Sequence, residues 1–201
     1  MPLWLADKPL VLASKSKIRE TILRQAGIPV EVRPADIDER AVEQRGSAGA
    51  GEVALVLARE KARTIAARQP GRLVLGADQT LALDQQRFSK PSDRAAAREQ
   101  IKALRGRTHA LHTAIALMRD DTILFEHCEI ARLTMRALSD EFLEAYLDEV
   151  GPAVNASVGG YQLEKAGVQL FERIDGDHFV VLGLPLLPVL QFLRHAGWLA
   201  T

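Results

Sequence analysis

The stretch Leu73-Val74-Leu75-Gly76-Ala77-Asp78-Gln79-Thr80 decides how this chain is interpreted. An apolar run typical of a buried strand stops at two small residues, and a carboxylate, Asp78, follows them. We predict a strand over 73–75, a strand end that presents Asp78, and a second strand over 80–83. Small residues let the backbone approach a metal ion or a phosphate closely beside that carboxylate. The alternative interpretation is an aspartate in a tight turn.

The composition is that of an ordinary globular domain. Of 201 residues, 47% are apolar and 26% are charged, and 26 basic residues balance 26 acidic residues. This length suffices for a large core, and we expect a single domain over 1–201. A net charge of zero does not indicate a nucleic-acid polymer or a membrane surface as partner. The single cysteine, Cys128, excludes an intrachain disulfide and a thiolate metal cage, and we expect a packed core thiol.

Two segments bear on the cellular location. Residues 1–8 lack the basic start and apolar core of a signal peptide. The longest apolar tract, 179–193, is interrupted by Gly183, Pro185 and Pro188 and is too short to span a bilayer. We therefore expect a cytoplasmic protein that does not bind membranes.

The hydrophobic periods mix strands and helices without strict alternation, which predicts a mixed sheet with flanking helices. The predicted helices are 17–25, 52–68, Ser92 or Asp93 to 104, 139–150 and 186–195. The predicted strands are 9–13, 30–32, 73–75, 80–83, two long strands in 108–138 around a hairpin at 119–121, and 161–163, 168–174 and 179–182. We predict loops at 33–39 and 87–91 and a flexible segment at 46–51.

Lys61 is the most unusual residue by its position. On the predicted helix 52–68 it falls near the middle of an apolar face that includes Val53, Leu57 and Ile65. A lysine at such a position is either a side chain whose head reaches water or a cation held at the floor of a cleft to meet an anion.

A second basic group follows the first predicted strand. The segment Ser14-Lys15-Ser16 precedes a helix that carries Arg19 in its first turn, and Ser16 is its expected N-cap. Hydroxyl groups, free backbone N–H groups and a cation at a helix start suit an oxyanion. A capped helix with solvated charges is the alternative. Lys90, in a predicted loop before Pro91, is by itself an ordinary exposed lysine.

Carboxylates complete the set of chemically interesting residues. Asp38, Glu39 and Asp78 offer the hard oxygen ligands that Mg²⁺ or Mn²⁺ prefers, and solvated loop acids are the alternative. Cations and a metal neutralise phosphates, and a carboxylate accepts a proton from the attacking water. This balance of groups is the one that polyphosphate hydrolysis requires.

Several motifs in order resemble those of the Maf family. They are Leu12-Ala13-Ser14-x-Ser16-x-x-Arg19, Asp36-Ile37-Asp38-Glu39, Ala58-Arg59-Glu60-Lys61-Ala62, Gly76-Ala77-Asp78 and Lys90-Pro91. The match continues with Gly106-Arg107-Thr108-His109, Thr113-Ala114 and Gly183-Leu184-Pro185-Leu186.

The resemblance implies a cytoplasmic, metal-dependent nucleoside triphosphate pyrophosphatase that is often a homodimer. It implies a two-lobed α/β fold, with an elongated mixed β-sheet, flanking helices and a cleft between the lobes. The implied catalytic residues are Asp78, Glu39 and Lys61, with Asp78 and Glu39 also holding Mg²⁺ or Mn²⁺. The implied substrate-binding residues are Ser14, Ser16, Ile18, Arg19, Lys90, Gln79 and Glu164.

The resemblance also indicates which nucleobase the substrate carries. The branch that acts on dTTP and UTP usually has Thr after the catalytic Asp and Gln in a Tyr-x-x-Gln segment. This chain has Gln79 and Glu164 there, which resembles the branch that acts on 7-methyl-GTP. A carboxylate accepts from guanine N–H donors and attracts the cationic methylated ring. Lys17 and Ile18 depart from the family pattern, and Ile18 fits neither branch clearly.

Three alternatives remain open at the level of sequence. The chain could be a dTTP/UTP pyrophosphatase of the same family or a hydrolase of deaminated purine triphosphates. It could also be a nucleotide-binding regulator of septum formation and cell division without turnover.

Overall fold

The computed structural model describes residues 2–43 and 49–201. In this part of the chain, seven strands form a mixed sheet in the order β2-β1-β3-β5-β6-β7, with β4 paired to β3. The strands are β1 (Leu10–Leu12), β2 (Val30–Val32), β3 (Leu73–Leu83), β4 (Gln86–Phe88), β5 (Thr108–Arg119), β6 (Thr122–Met135) and β7 (Phe171–Asp175). The helices are α1 (Lys17–Gln25), α2 (Glu39–Glu43), α3 (Ala50–Ala66), α4 (Arg94–Leu104), α5 (Asp140–Val150), α6 (His178–Val181) and α7 (Leu186–His195).

The chain divides into two compact units. The first comprises Met1–Gln79, Thr113–Glu129 and His178–Thr201, and the second comprises Thr80–His112 and Ile130–Asp177. Strands β3, β5 and β6 contribute residues to both units.

Alternation along the strands gives the first unit a core on each face of its sheet. β1 pairs in parallel with β2 and with β3. On one face, Leu10, Leu12, Leu73, Leu75 and Ala77 pack with α1 and α7. On the other face, Val11, Ala13 and Val74 pack with the alanine-rich side of α3. Because successive strand residues point to opposite faces, the sheet of this unit is covered by helices on both sides.

Small residues bring α3 unusually close to β3. A Cβ atom added at Gly76 would lie 2.1 Å from the Ala58 carbonyl oxygen and 2.7 Å from the Ala62 backbone nitrogen. No side chain fits in that space, so glycine is required by the close approach of the helix. The first-unit residue Cys128 packs, half-buried, against the same α3-side core, as expected.

The second unit contains β4, α4, α5, β7 and short 3-10 segments at Gly151–Ala156, Val158–Gly160 and Ala166–Leu170. His109 is buried there, with its Nε2 atom 2.7 Å from the Tyr161 hydroxyl, and Tyr161 meets Phe171 edge-on. The Tyr146 hydroxyl donates to the Gly160 carbonyl at 3.0 Å. Burial lowers the pKa of His109 to about 4, so this histidine is neutral near pH 7.

Several sequence predictions are confirmed. α1 covers the predicted residues with Ser16 as N-cap, and α4 begins after its N-cap Asp93. α5 follows its N-cap Ser139, and α7 has the predicted bounds. The hairpin is formed by β5 and β6, and β2 has its predicted bounds. The mixed sheet with flanking helices is confirmed as the fold class.

The prediction that a strand ends at Asp78 is wrong. β3 runs without interruption from Leu73 to Leu83, and Asp78 lies in its interior. Thr80 and Leu81 beyond it are buried, so the strand stays within the core. A carboxylate interrupts the apolar pattern here without ending the strand because it meets a cation.

Other boundaries are also corrected. The predicted loop at 87–91 contains β4, and Glu39, predicted in a loop, begins α2. The predicted strand 161–163 has no strand structure, and 168–174 contains the end of a 3-10 segment before β7. The predicted strand 179–182 is mostly the short helix α6, because a short apolar run does not distinguish helix from strand. Of the predicted flexible segment 46–51, residues 46–48 lie outside the described residues, whereas 50–51 begin α3.

No helix within residues 2–43 and 49–201 is both long and apolar enough to cross a lipid bilayer.

Candidate active site

A buried ammonium group joins two carboxylates in the first unit. Lys61 on α3 is 9% exposed and Asp78 on β3 is 8% exposed. The Lys61 Nζ atom lies 2.6 Å from Asp78 Oδ1 and 2.6 Å from Glu39 Oε1. The Glu39 side chain is about half exposed at the start of α2. Lys61 is therefore a held cation, and the interpretation that its head simply reaches water is wrong.

The local fold explains this meeting of charges. Lys61 lies on the buried side of α3 with Leu57, Ala58 and Ala62. Asp78 lies two residues after Gly76, on the strand face that α3 covers. The close approach at Gly76 brings the helix near enough for the Lys61 ammonium to reach the carboxylate directly.

Burial and the neighbouring charges shift the pKa values of Asp78 and Arg19 in opposite directions. Burial raises the pKa of Asp78, and the nearby charges of Lys61 and Arg19 oppose that rise. Burial lowers the pKa of Arg19, against the attraction of Asp78 and Glu39. A carboxylate with a raised pKa is a stronger proton acceptor while it stays ionised near neutral pH.

Arg19 forms a fork of hydrogen bonds beside Asp78. Its Nη1 donates to Ser14 Oγ at 3.0 Å and to the carbonyl oxygen of Ala77 at 2.9 Å. Its Nε donates to the carbonyl oxygen of Gly183 at 2.7 Å. A guanidinium has five N–H donors, so these contacts leave the two on Nη2 without a partner among the residues described. Those two donors match the paired oxygens of a phosphate.

The neighbouring predicted residues have different surroundings. Ser14 is buried, and its Oγ also accepts from the Ser16 backbone N–H at 3.3 Å. Ser16 accepts the backbone N–H of Arg19 as the N-cap of α1. Ile18 is half-buried against the core on the α1 and α7 face. The helix cap and the buried serine therefore share one short turn that ends at Arg19.

Asp78 and Glu39 fit a divalent cation that is shared with a ligand. One oxygen of Asp78 and one of Glu39 each lie 2.6 Å from Lys61 Nζ, so the two carboxylates are close enough to share a cation beside the ammonium. Among the residues that the structure describes, no cluster of three or more His, Cys, Asp or Glu side chains could enclose a metal. Mg²⁺ is commonly held by one or two carboxylates with substrate phosphates and water completing its shell. The donor set suits that mode and not an all-protein cage.

The remaining predicted residues do not all join this group. Gln79 follows Asp78 on β3, but alternation along the strand points it to the opposite face. Lys90 and Glu164 belong to the second unit, where both are exposed. Glu164 lies in the turn before the 3-10 segment Ala166–Leu170.

Sequence reasoning assigned no role to two residues that hold the side chains of Arg19 and Gln79. The Gly183 carbonyl holds Arg19, and Thr113 Oγ1 accepts from Gln79 Nε2 at 2.9 Å. Gly183 has φ +94°, a backbone conformation that favours glycine. Thr113 is a fully buried hydroxyl before an apolar run on β5. Both residues belong to the ordered motifs Thr113-Ala114 and Gly183-Leu184-Pro185-Leu186, which were the available signal.

The chain belongs to the family of Maf-like proteins. The model of that family matches residues 9–196, which is nearly the whole chain. This confirms the resemblance that the ordered motifs indicate.

Curated relatives match over nearly their full length. A protein of Nitrobacter winogradskyi named nucleoside triphosphate pyrophosphatase is 53% identical, over 99% of this chain and 98% of its own. A protein of the same name from Rhodopseudomonas palustris strain HaA2 is 55% identical over 100% of both chains. A 7-methyl-GTP pyrophosphatase of Rhizobium etli is 49% identical, over 94% of this chain and 96% of its own.

Proposed function

We propose that this chain is a nucleoside triphosphate pyrophosphatase, a hydrolase that converts a nucleoside triphosphate into a nucleoside monophosphate and pyrophosphate. The observation that carries the proposal is the Lys61 ammonium held between Asp78 and Glu39, beside the Arg19 fork. The names of relatives at 53% and 55% identity support the same activity.

The residues have distinct parts in this reaction. Ser14 and the two Arg19 Nη2 donors, which have no partner among the described residues, bind phosphate oxygens. The Lys61 ammonium uses two of its three donors on carboxylates and offers the third to the substrate. Lys90 adds a further cation for the phosphates.

Asp78 accepts the proton of the attacking water. The water oxygen bonds to phosphorus at the anhydride between the α- and β-phosphates, and the bridging oxygen leaves with the other phosphoryl group. The buried surroundings that raise the pKa of Asp78 increase its proton affinity for this step. Asp78 and Glu39 would hold Mg²⁺ or Mn²⁺, which when bound neutralises charge on the phosphates.

Release of pyrophosphate tests the activity directly. The wild-type chain is assayed with Mg²⁺ or Mn²⁺ against Asp78→Asn, which keeps the shape but removes the proton acceptor. Loss of general base catalysis predicts a fall in kcat of about 10²-fold or more. The control is Asp121→Asn, at an exposed carboxylate in the β5–β6 hairpin. A wild-type chain that hydrolyses no nucleotide would refute the enzyme and favour the nucleotide-binding regulator.

The preferred substrate is proposed to be 7-methyl-GTP. Glu164 supports this preference as an exposed carboxylate that can accept guanine N–H groups and attract the methylated ring. The Rhizobium etli relative, which is named for this substrate, supports it as well. Cytoplasmic location and a homodimer remain predictions from the resemblance.

A substrate panel tests the preference. Rates with 7-methyl-GTP, GTP, UTP, dTTP and deaminated purine triphosphates are compared for the wild type and Glu164→Gln. We expect the 7-methyl-GTP to UTP ratio of kcat/KM to fall about tenfold, as expected for one charged hydrogen bond. Glu99→Gln, at an exposed glutamate on α4, is the matched control. An unchanged ratio would argue that Glu164 does not contact the base.

A further inference from the structure

The Gln79 side chain is bound within the first unit by its amide nitrogen. Nε2 donates to Thr113 Oγ1 at 2.9 Å, to the Val180 carbonyl at 3.0 Å and to the Val181 carbonyl at 3.1 Å. Thr113 Oγ1 in turn donates to the Val180 carbonyl at 2.9 Å. An amide has two N–H donors, so three acceptors at these distances saturate it.

The orientation of this amide follows from its partners. Backbone carbonyls can only accept, so the nitrogen and not the oxygen of Gln79 faces Val180 and Val181. The Thr113 hydroxyl gives its hydrogen to Val180 and therefore meets Gln79 with a lone pair. The donors of Gln79 are thus spent on the protein and are not free for a nucleobase.

The segment held by Gln79 continues directly to the partner of Arg19. Val180 and Val181 end α6, and the Gly183 backbone N–H donates to the Val180 carbonyl at 3.0 Å. The Gly183 carbonyl accepts from Arg19 Nε. A Cβ atom at Gly183 would lie 3.3 Å from Arg19 Nε and Nη2, so this backbone lies directly against the guanidinium.

We propose that Gln79 is a positioning residue for Arg19, acting through segment 180–183, and that it does not read the base. By fixing the Gly183 carbonyl, Gln79 sets the rotation of the guanidinium plane and so the direction of the two Nη2 donors that the described part of the chain leaves unpaired. This proposal rests on the proposed function, because it takes those donors to bind phosphate.

Amide hydrogen exchange tests, without any catalytic turnover, whether Gln79 holds segment 180–183. Gln79→Met keeps the side-chain length but cannot donate, and Thr113→Val removes the second hydrogen bond to Val180. Both variants are expected to speed exchange at the Leu182 and Gly183 amides about tenfold, the effect of losing a hydrogen bond of 1–1.5 kcal/mol. Gln25→Met, at an exposed glutamine that ends α1, is the control. Unchanged exchange in both variants would overturn the proposal.

Calorimetry with tripolyphosphate, which has no base, tests whether Gln79 affects phosphate binding through Arg19. Gln79→Met is expected to weaken tripolyphosphate about tenfold and to raise KM for 7-methyl-GTP and UTP by the same factor. In an Arg19→Lys background, Gln79→Met should cause little further loss, because both changes act on one guanidinium. Additive losses would overturn the link to Arg19.

A different result would show that Gln79 contacts the nucleobase. Unchanged tripolyphosphate affinity, with a shift in the ratio of 7-methyl-GTP to UTP, would overturn positioning and assign Gln79 to the base. A wild-type chain without turnover refutes the pyrophosphatase, whereas exchange and tripolyphosphate binding still decide the role of Gln79. A wild-type chain that does not bind tripolyphosphate would overturn the positioning proposal as well.

Discussion

Replacing Lys61 with Met measures how strongly the buried charges depend on one another. The change keeps most of the apolar stem that packs in α3 but removes the ammonium 2.6 Å from Asp78. Asp78, at 8% exposure, then holds a buried negative charge, with Arg19 as the nearby cation that remains among the described residues. Glu39 contributes less to the cost because its side chain is about half exposed to water.

The expected cost follows from the burial of the pair. Removing one partner of a buried ion pair costs about 3–5 kcal/mol, and residual attraction to Arg19 favours the lower end, about 3 kcal/mol at pH 8. For a chain of this size, that loss corresponds to a decrease in Tm of about 6–12 °C. Activity should fall as well, because Asp78 loses the group that positions it.

The loss should depend on pH in one direction. Without Lys61 the pKa of Asp78 in the folded state rises further above its unfolded value of about 3.9. At acid pH the carboxyl is protonated in both states and the cost disappears. As pH rises, the unfolded state ionises first, so the variant loses stability until pH passes the folded pKa. We expect the destabilisation to be smaller at pH 5 than at pH 8, because protonation of Asp78 removes the uncompensated charge.

Urea unfolding of four proteins at pH 5 and pH 8 gives the measurement. They are the wild type, Lys61→Met, Lys61→Met with Asp78→Asn, and the control Lys17→Met. The double variant pairs two neutral groups and should recover most of the lost stability at pH 8. Lys17 is an exposed lysine beside Glu20, and its replacement should change nothing measurable. A double variant as unstable as Lys61→Met alone would refute the assignment of the loss to an uncompensated Asp78 charge.

Two further predictions concern packing and acid stability. Gly76→Ala forces the Ala58 carbonyl away from a Cβ that would lie 2.1 Å from it, so urea unfolding should show a loss of about 1–3 kcal/mol and kcat should fall. A wild-type kcat in a folded Gly76→Ala variant would show that the α3–β3 approach does not set the Lys61 position. The pKa of His109, lowered from 6.5 to about 4 by burial, makes the unfolded state bind the proton first as pH falls. The wild type should therefore lose about 3 kcal/mol between pH 7 and pH 4 that His109→Phe does not lose, and parallel pH profiles would contradict this.

Local signals in the sequence were sufficient for much of the secondary structure. Ser16, Asp93 and Ser139 each precede a helix that begins where an N-cap predicts. The amphipathic period placed Lys61 on the buried side of its helix, and the structure confirms it. Caps and periods are properties of neighbouring residues, and this explains why they can be interpreted without tertiary contacts.

Sequence patterns whose meaning depends on residues far away in the chain led to wrong predictions. The Gly76-Ala77-Asp78 segment resembles a strand end when taken alone, because small and charged residues usually interrupt strands. Its glycine instead accommodates α3, and its carboxylate is matched by a lysine 17 residues earlier in the chain. A local pattern cannot report a cation supplied by another element.

The same limit applies to the pair Asp78 and Gln79. Adjacency in sequence suggested that both residues serve the substrate, one at the phosphates and one at the base. A strand places neighbours on opposite faces, so Asp78 meets α3 whereas Gln79 meets α6. We therefore expect a substitution at Gln79 to act on the phosphate site through the backbone of Val180 and Val181, which its amide holds. If Gln79 contacted the base directly, Gln79→Met would change the ratio of 7-methyl-GTP to UTP and leave tripolyphosphate binding unchanged. If Gln79 acts through the backbone that it holds, Gln79→Met weakens tripolyphosphate binding and leaves that ratio unchanged.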